Sequence, residues 1–219
     1  MREFAGGGDC HRQTGLYISA MTRRHRAGSG RGVRDRILRT AAELFYKRGV
    51  QNVGVDQVVA EAGVAKMSLY KHFGSKDALV EAGLRHQSET WRLWFEQRVL
   101  ATSPEVDARI LGIFEALEVW FGSTDFRGSP FTNVAVEVAD AGHGATRAAM
   151  DHQRAVLAFV RDLARNTGVS RPEMLARQLL LLMEGATVLA QVHGGVEPAR
   201  EARRAAQALL GAQRHQSDS

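Results

Sequence analysis

The sequence has little that would support cross-linking, membrane insertion or export. Its 219 residues include one cysteine, Cys10, which lies in a Gly-rich leader and has no partner for a disulfide or a thiolate metal site. The apolar run Leu179–Met183 is far shorter than the roughly 18 residues of a membrane span. The N-terminus shows no compact apolar segment followed by a cleavage site. We therefore expect a soluble protein of the cytoplasm.

Signatures of catalysis are missing as well. The chain has no Gly-x-Ser-x-Gly nucleophile elbow and no phosphate-binding loop. Glu137, Asp140 and His143 fall at helical spacing, but a helical di-iron site needs the Glu-x-x-His pattern twice. Gly142 and Gly144 are also expected to end the helix there. We expect no bound metal and no cofactor, and a helical enzyme stays only as a rival interpretation.

Charge is present but unevenly distributed. The formal net charge is +5, yet residues 1–32 carry a net +4, residues 34–76 carry another +4, and the remainder carries −3. The second of these segments holds every lysine of the chain, namely Lys47, Lys66, Lys71 and Lys76. Such asymmetry indicates a polyanion at one end of the molecule and a different partner at the other. A solvated basic surface without a partner is the alternative.

The two ends of the chain are predicted to be disordered. Residues 1–33 mix Gly, Arg, Ser and Thr without an apolar period, so they bury too little to offset the entropy of ordering. Met21 opens a more usual start for a short basic arm, and our hypothesis is that translation begins there rather than at Met1. Residues 214–219 are predicted to form a disordered tail.

The chain between these ends has the spacing of helices. From Arg34 apolar residues recur at helical intervals until Gly49, where a left-handed C-terminal cap is needed. Two short helices and a long one follow, and then about five more without a convincing strand. Pro104 suits the first turn of the helix after the long one, and residues 126–131, with Gly128 and Pro130, are predicted to form a loop. We therefore expect an all-α protein of about nine helices. Its three-helix head would span residues 34–80 and its larger helical body residues 81–213.

A helix-turn-helix is predicted between about Gly54 and Phe73. One helix packed across another needs a tight turn and apolar residues on both sides of it. Gly63 supplies the turn. The apolar residues are Val55, Val58, Val59 and Ala62 before it and Val64, Leu69 and Phe73 after it. By spacing alone the signal is moderate, because many helical hairpins contain such a glycine.

The second helix of this pair has side chains suited to DNA. Its free face offers ammonium groups, a ring nitrogen and hydroxyls for phosphates. Lys66 and Ser68 near its N-terminus are the candidates for reading base edges, with Met67 and Leu69 able to contact thymine methyl groups. The full set of predicted DNA-binding residues is Lys66, Met67, Ser68, Leu69, Tyr70, Lys71, His72, Lys76, Arg34 and Gly54.

These residues resemble a known family. Ala62–Leu79, with the sequence AGVAKMSLYKHFGSKDAL, is similar to the DNA-binding signature of tetracycline-repressor-type (TetR/AcrR) regulators, and residues 42–49, AELFYKRG, are similar to the end of their first helix. The resemblance covers about residues 34–82. It implies an all-helical homodimer with a DNA-binding head and a ligand-binding body in each subunit. It also implies that two C-terminal helices pair into a four-helix bundle between subunits.

The resemblance also implies roles for particular residues. By position, Tyr70, His72 and Lys76 would bind phosphate, and Lys66 and Ser68 would lie over the groove. Gly54 departs from the family pattern, which usually has Ser or Thr capping the second helix, and so a hydroxyl contact to phosphate is lost. Further along, residues 128–133 and 178–191 are similar to the regulatory domain of one AcrR-like branch.

The body is rich in aromatic and sulfur-containing residues that could line a ligand pocket. The candidates are Trp91, Trp94, Phe95, Phe114, Trp120, Phe121, Phe131, Met150, Met183 and Gln191. Ordinary core packing is the alternative for each of them. Taken together they indicate an apolar or aromatic effector, to which His152, His193, Gln191 and Glu184 could add polar contacts.

These observations predict a DNA-binding transcriptional regulator. As a homodimer it would bind a near-palindromic operator, act most commonly as a repressor, and be released by a small apolar or aromatic effector. The long helix from Lys76 to about Arg98 is expected to transmit the change from body to head. Because few base readers are present, specificity could lean on dimer spacing, DNA shape and an arm at Arg23–Arg26 in the minor groove. A nonspecific architectural DNA-binding protein is the alternative.

Overall fold

A computed structural model of the protein describes residues 32–140 and 142–215, with side chains given up to Gln213. This part of the chain contains nine helices and no strand, which confirms the expected all-α class. In chain order they are α1 (Val33–Arg48), α2 (Val55–Ala62), α3 (Lys66–Phe73), α4 (Lys76–Thr102), α5 (Val106–Phe121), α6 (Pro130–Val138), α7 (Gly144–Arg165), α8 (Pro172–His193) and α9 (Glu197–His215). Cys10, Met21 and the Arg23–Arg26 arm lie outside the described residues, as does the tail after residue 215.

Several helix ends differ from those expected. Helix α6 begins at Pro130, inside a segment that the sequence predicted to be loop, because the Ser129 hydroxyl accepts the Thr132 N–H at 3.3 Å and proline suits the first helical position. Pro104 lies ahead of α5 rather than in its first turn. Helix α1 starts at Val33, one residue inside the predicted arm, and α9 continues two residues past Gln213.

The head is a three-helix unit closed by the start of α4. Ile37 from α1, Val58 from α2 and Leu69 from α3 are fully or almost fully buried against Leu79 of α4. The same apolar cluster continues into the body through Phe131 and Val134 of α6 and through Ala145, Ala148 and Ala149 of α7. Burial of apolar area is the main stabilising force in both parts. The head is therefore packed directly onto α6 and α7.

The body has its own core, formed by α4, α5, α7, α8 and α9. Aromatic rings fill its centre: Trp91 stacks on Phe95 at 4.6 Å between ring centroids and meets Trp120 edge-on at 5.4 Å. Within the described residues, α8 is the one helix long and apolar enough to cross a membrane. One face of α8 packs against α7 and α9 here, so the helix serves as a core element of the body.

Candidate DNA interface and ligand cavity

The turn between α2 and α3 has the geometry that a helix-turn-helix needs. Gly63 lies in the left-handed region at φ 61° and ψ 46°, where glycine has no steric penalty. The Val64 N–H reaches back to the Val59 carbonyl at 3.1 Å and closes the end of α2. Because Val58 and Leu69 are buried against each other's helices, the angle between α2 and α3 is set by packing.

One face of α3 is left free by this packing. Met67 is 77% exposed and Tyr70 is 43% exposed, although apolar and aromatic side chains of this size normally pack away from water. Lys66 and Lys71 lie on the same side of the helix and are also exposed. A face with two ammonium groups, a phenol and a flexible apolar chain can contact both phosphates and base edges.

Two basic side chains of the head already have partners within the chain. The Lys66 ammonium lies 2.7 Å from the Asp56 carboxylate of α2, and this pairing raises the pKa of Lys66 above its ordinary value. The Arg34 guanidinium lies 5.1 Å from the centre of the Phe73 ring, which is a cation–π distance. Lys66 would have to exchange Asp56 for a DNA group in order to bind it.

The start of α4 is a second place suited to phosphate. The Ser75 hydroxyl accepts the Ala78 N–H at 3.1 Å and begins the helix. Lys76 is the first helical residue, and a cation at the positive end of a helix dipole is electrostatically unfavourable unless an anion is nearby. A DNA phosphate at this position would interact favourably with both the ammonium group and the helix N-terminus.

Two adjacent cavities lie in the body, next to the head. The inner one, about 30 Å³, is bounded by Trp91, Leu117, Trp120, Val156, Met183 and Thr187. The outer one, about 160 Å³, is bounded by Thr132, Ala135, Val136, Thr146, Ala149, Met150 and Gln153. Ser129, Phe131, His152 and Glu184 belong to both linings. Val136 and Met150 are largely exposed, so the outer cavity opens to solvent between α6 and α7.

Phe131 and His152 form the wall between the two cavities. Their rings stack at 3.6 Å between centroids, with 14° between the planes. The Ser88 hydroxyl and His152 Nδ1 are hydrogen-bonded at 2.9 Å, which fixes the imidazole in place. Burial, and secondarily the charge of Arg92, lower the pKa of His152 to about 3. The ring is therefore neutral at physiological pH.

Two further polar groups in this region are incompletely satisfied. The Trp91 indole N–H is buried without a hydrogen-bond partner. The Glu184 carboxylate accepts from Gln153 Nε2 at 3.4 Å, and its burial raises the pKa of the carboxyl group. A carboxylate can accept about four hydrogen bonds, so Glu184 retains capacity for a ligand donor.

Comparison with known proteins agrees with this geometry. The family model described as bacterial regulatory proteins, tetR family, matches residues 37–82. A TetR-type transcriptional regulator from Streptomyces avermitilis is 33% identical, with a TM-score of 0.68, over 81% of this chain and 99% of that one. This chain belongs to the TetR family. It is a DNA-binding transcriptional regulator with a helix-turn-helix head.

Two other relatives extend the comparison. A TetR-family regulator from Streptomyces coelicolor is 28% identical, with a TM-score of 0.76, and the match covers 83% of this chain and 95% of that one. The transcriptional repressor KstR2 from Mycolicibacterium smegmatis is 35% identical over 83 residues, which is 38% of this chain and 40% of that protein. The structural likeness to the first of these includes both the head and the helical body of the TetR-family fold.

The structure corrects one predicted DNA contact of this TetR-family regulator. Leu69 has no exposed surface and belongs to the core of the head, so it cannot reach a thymine methyl group. Met67, two residues earlier, is on the free face instead. Ser68 and Lys76 are half-buried, Lys71 and His72 are exposed, and Gly54 is exposed at the N-cap of α2.

The predicted pocket residues separate into three groups. Trp91, Trp120, Phe131, Met150 and Met183 line one or both cavities. Phe95 and Phe114 are each 1% exposed in the body core, Trp94 packs against that core, and none of the three lines either of these cavities. Phe121 and Gln191 line a separate surface groove near the end of α8, where Gln191 donates to Asn133 Oδ1 at 3.1 Å.

The acids and imidazole that had suggested a metal site have other partners. Among the described residues no three His, Cys, Asp or Glu side chains are grouped in a way that could hold a metal ion. His143 Nδ1 accepts the Ala145 N–H at 3.1 Å and caps α7. The Glu137 carboxylate accepts the backbone N–H groups of Val50, at 3.1 Å, and Gln51.

These contacts of Glu137 join the body to the head and were not foreseen. They bind the C-terminal turn of α6 to the loop between α1 and α2, just ahead of the helix-turn-helix. A second link is Tyr46 of α1, whose hydroxyl donates to the Gly128 carbonyl at 3.2 Å and accepts the Arg127 N–H at 2.9 Å. Burial raises the pKa of Tyr46 to about 12, so its hydroxyl stays protonated. The partners are more than 80 residues apart in sequence, where local patterns carry no signal.

Proposed function

We propose that this regulator is a ligand-responsive repressor. As a homodimer it binds a near-palindromic DNA operator and is released when a small, largely apolar or aromatic effector enters the cavities of the body. The observation that carries this proposal is the double role of Phe131. Its ring lines both cavities and is also part of the apolar cluster that forms the head. A ligand that moves this ring would act directly on the packing of the DNA-binding unit.

Repression is supported by the name of one relative and by the requirements of effector control. KstR2, which is similar over 83 residues, is named a repressor. A repressor must occupy its operator without effector, and the effector must prefer a conformation that binds DNA less well.

We place the protein in the cytoplasm, where bacterial DNA is found. We also propose that the DNA-binding domain ends near residue 80 and that residues 81–213 form the ligand-binding and dimerisation domain.

The dimer is proposed to form through α8 and α9. Leu181 is 73% exposed, and Val188, Leu189 and Val192 continue the same apolar side of α8. Ala208, Gly211 and Ala212 are exposed on α9 and are small enough to let a partner helix approach closely. An exposed apolar surface of this kind is typical of a subunit interface. Two such surfaces would pair as a four-helix bundle and hold two heads at a fixed separation.

A direct test of the proposed function has two stages. Selection of bound sites from random DNA identifies the operator, and it should return two half-sites with centres roughly 34–36 Å apart. Compounds that raise the melting temperature of the protein are then tested for release of that operator. The proposal fails if no sequence is enriched, which would favour an architectural protein, or if every stabilising compound leaves operator affinity unchanged.

The free face of α3 and the start of α4 lead to a prediction about DNA affinity and sequence specificity. Tyr70→Phe and Lys76→Ala should weaken binding to operator and unrelated DNA by similar factors, because they remove phosphate contacts. Lys76→Ala should also reduce the slope of log affinity against log salt concentration by about 1 for each head. Ser68→Ala should instead change the order of preference among operator variants.

Fluorescence anisotropy with the operator, with single-base variants and with unrelated DNA at several salt concentrations measures these effects. Lys47→Ala is the matched control, since Lys47 lies on α1 in an ion pair with Glu43 at 2.6 Å. An equal loss for Lys47→Ala and Lys76→Ala would contradict the assignment of Lys76.

The link between α6 and the head gives a second prediction. Glu137→Ala removes the acceptor of two backbone N–H groups at the start of the Val50–Gln51 turn. We expect the free energy of unfolding to fall by about 1 kcal/mol, since hydrogen bonds to a charged acceptor are strong but this one is partly solvent-exposed. The amides of Val50 and Gln51 should exchange hydrogen faster than in the unaltered protein.

Urea unfolding and amide hydrogen exchange test this link. Glu43→Ala is the control, because it breaks only the surface ion pair with Lys47 and should change stability by less than about 0.5 kcal/mol. Unchanged exchange at Val50 and Gln51 in Glu137→Ala would show that Glu137 does not connect α6 to the head.

A further inference from the structure

Glu184 is the single acidic residue in the linings of the two cavities. The other lining residues contribute aromatic rings, methyl groups, a thioether at each of two methionines, hydroxyls, one amide and the neutral imidazole of His152. Neither lining contains a lysine or an arginine. When Glu184 is ionised, the space that a ligand would occupy therefore has a net negative charge at its wall.

Within the described part of the chain, no positively charged side chain pairs with this carboxylate. The groups that act on the pKa of Glu184 are its burial, Gln153 and Thr132, and none of them is a cation. Arg92, whose charge acts on the neighbouring His152, is not among these groups, and Arg85 and Arg154 are paired with Asp151 at 3.2 Å and 2.9 Å. Burial removes part of the water around a carboxylate, which costs free energy when no cation is nearby. A positively charged donor on a ligand would offset this cost.

The remaining lining of the two cavities suits an apolar or aromatic group attached to a positively charged donor. Trp91 and Trp120 line the inner cavity and Phe131 lines both, and aromatic rings attract both apolar groups and cations. The outer cavity, about 160 Å³, is by itself adequate for a small aromatic molecule, since an apolar cavity of about 150 Å³ holds a benzene ring. Val136 and Met150 at the opening would cover the apolar end.

We propose that the ligand bound here is an organic amine, with its protonated nitrogen against Glu184 and its apolar or aromatic body between α6 and α7. The inference rests on the proposed function in that it takes this cavity to be the effector site. It narrows the effector from apolar molecules in general to cationic ones. A carboxylate ligand of the same shape would be repelled by Glu184, and a neutral one would leave the acid without a charged donor.

Three probes of nearly equal shape test this inference by calorimetry without DNA. Phenethylamine is a cation at pH 7, phenethyl alcohol is neutral and phenylacetate is an anion. We expect the amine to bind about 10-fold more tightly than the alcohol, as charge-assisted hydrogen bonds and cation–π contacts together would give. Phenylacetate should bind more weakly than either.

Two variants identify the group responsible. Glu184→Gln should abolish the preference for the amine and change the affinity for the alcohol less than two-fold, which also shows that the cavity is still folded. Glu89→Gln, on the exposed side of α4, changes the net charge equally and should keep the preference. The inference is overturned if the alcohol binds the unaltered protein as tightly as the amine, if phenylacetate binds most tightly, if none of the three binds, or if Glu184→Gln keeps the preference.

The ligand class and the proposed function can fail independently of each other. Binding of the amine without any effect on operator affinity would leave the ligand class standing and would refute effector control of DNA binding. Release of the operator by a neutral compound, with no preference for amines at Glu184, would refute the ligand class alone.

Discussion

Replacing Leu181 and Val188 together by glutamate should convert the regulator into a monomer of 24.0 kDa and lower its operator affinity by about 10²- to 10⁴-fold. In a two-fold symmetric interface each substituted residue occurs twice, so four carboxylates would enter one apolar surface. Burying them unpaired costs far more than the contacts of a helical bundle can return. A monomer has one head and loses the advantage of binding the second half-site at high effective concentration.

Sedimentation at micromolar concentration and operator titration measure the two parts of this effect. Leu93→Glu is the matched control, because Leu93 is also 59% exposed but lies on α4, outside the α8 and α9 surface. It should leave the mass and the affinity unchanged. The proposed interface would be refuted if the unaltered protein sedimented as a monomer, or if the double variant remained a dimer.

Leu69→Ala should remove about 2–5 kcal/mol from the free energy of unfolding of the head, because it empties a fully buried position where α3 packs on its neighbours. Operator binding should be lost in proportion as the head unfolds. The cause would be structural, since Leu69 has no surface with which to touch DNA.

Met67→Ala is the comparison that separates folding from recognition. Met67 is 77% exposed, so its truncation should change stability by no more than about 0.5 kcal/mol and should affect only the preference among operator variants. Urea unfolding followed by circular dichroism measures both variants. Equal losses of stability would mean that the packing of α3 differs from that described.

Features that depend on interactions between residues close together in sequence could be predicted, and features that depend on distant residues could not. The helix-turn-helix follows from an apolar period and a glycine at the turn, which both act within a few residues. Helix α6 begins earlier than the sequence predicts, because Gly128 and Pro130 favour a loop by composition whereas Ser129 and Pro130 form a capped helix start. The predicted DNA contact of Leu69 is wrong, because helical spacing alone is compatible with either face of α3.

Residues that belong to the ligand cavity were identified less completely. Seven of the ten predicted side chains are aromatic, but rings at helical spacing serve cores and cavities equally well. The structure assigns Phe95 and Phe114 to the core and Phe131 to the cavity walls. No local pattern distinguishes these positions, because α4, α5, α6, α7 and α8 together form the walls of the two cavities.

By itself the sequence determined the helical class, the position of the helix-turn-helix and the basic charge around it, because periodicity, caps and charge are properties of short segments. Only the tertiary structure decided that Leu69 is buried, that Asp56 holds Lys66, that Glu137 joins α6 to the head and that Glu184 lies in the cavity wall. The last two depend on the packing of helices far apart in the chain. Their relative angles and rotations arise from the interlocking of many side chains at once, and no short segment encodes them.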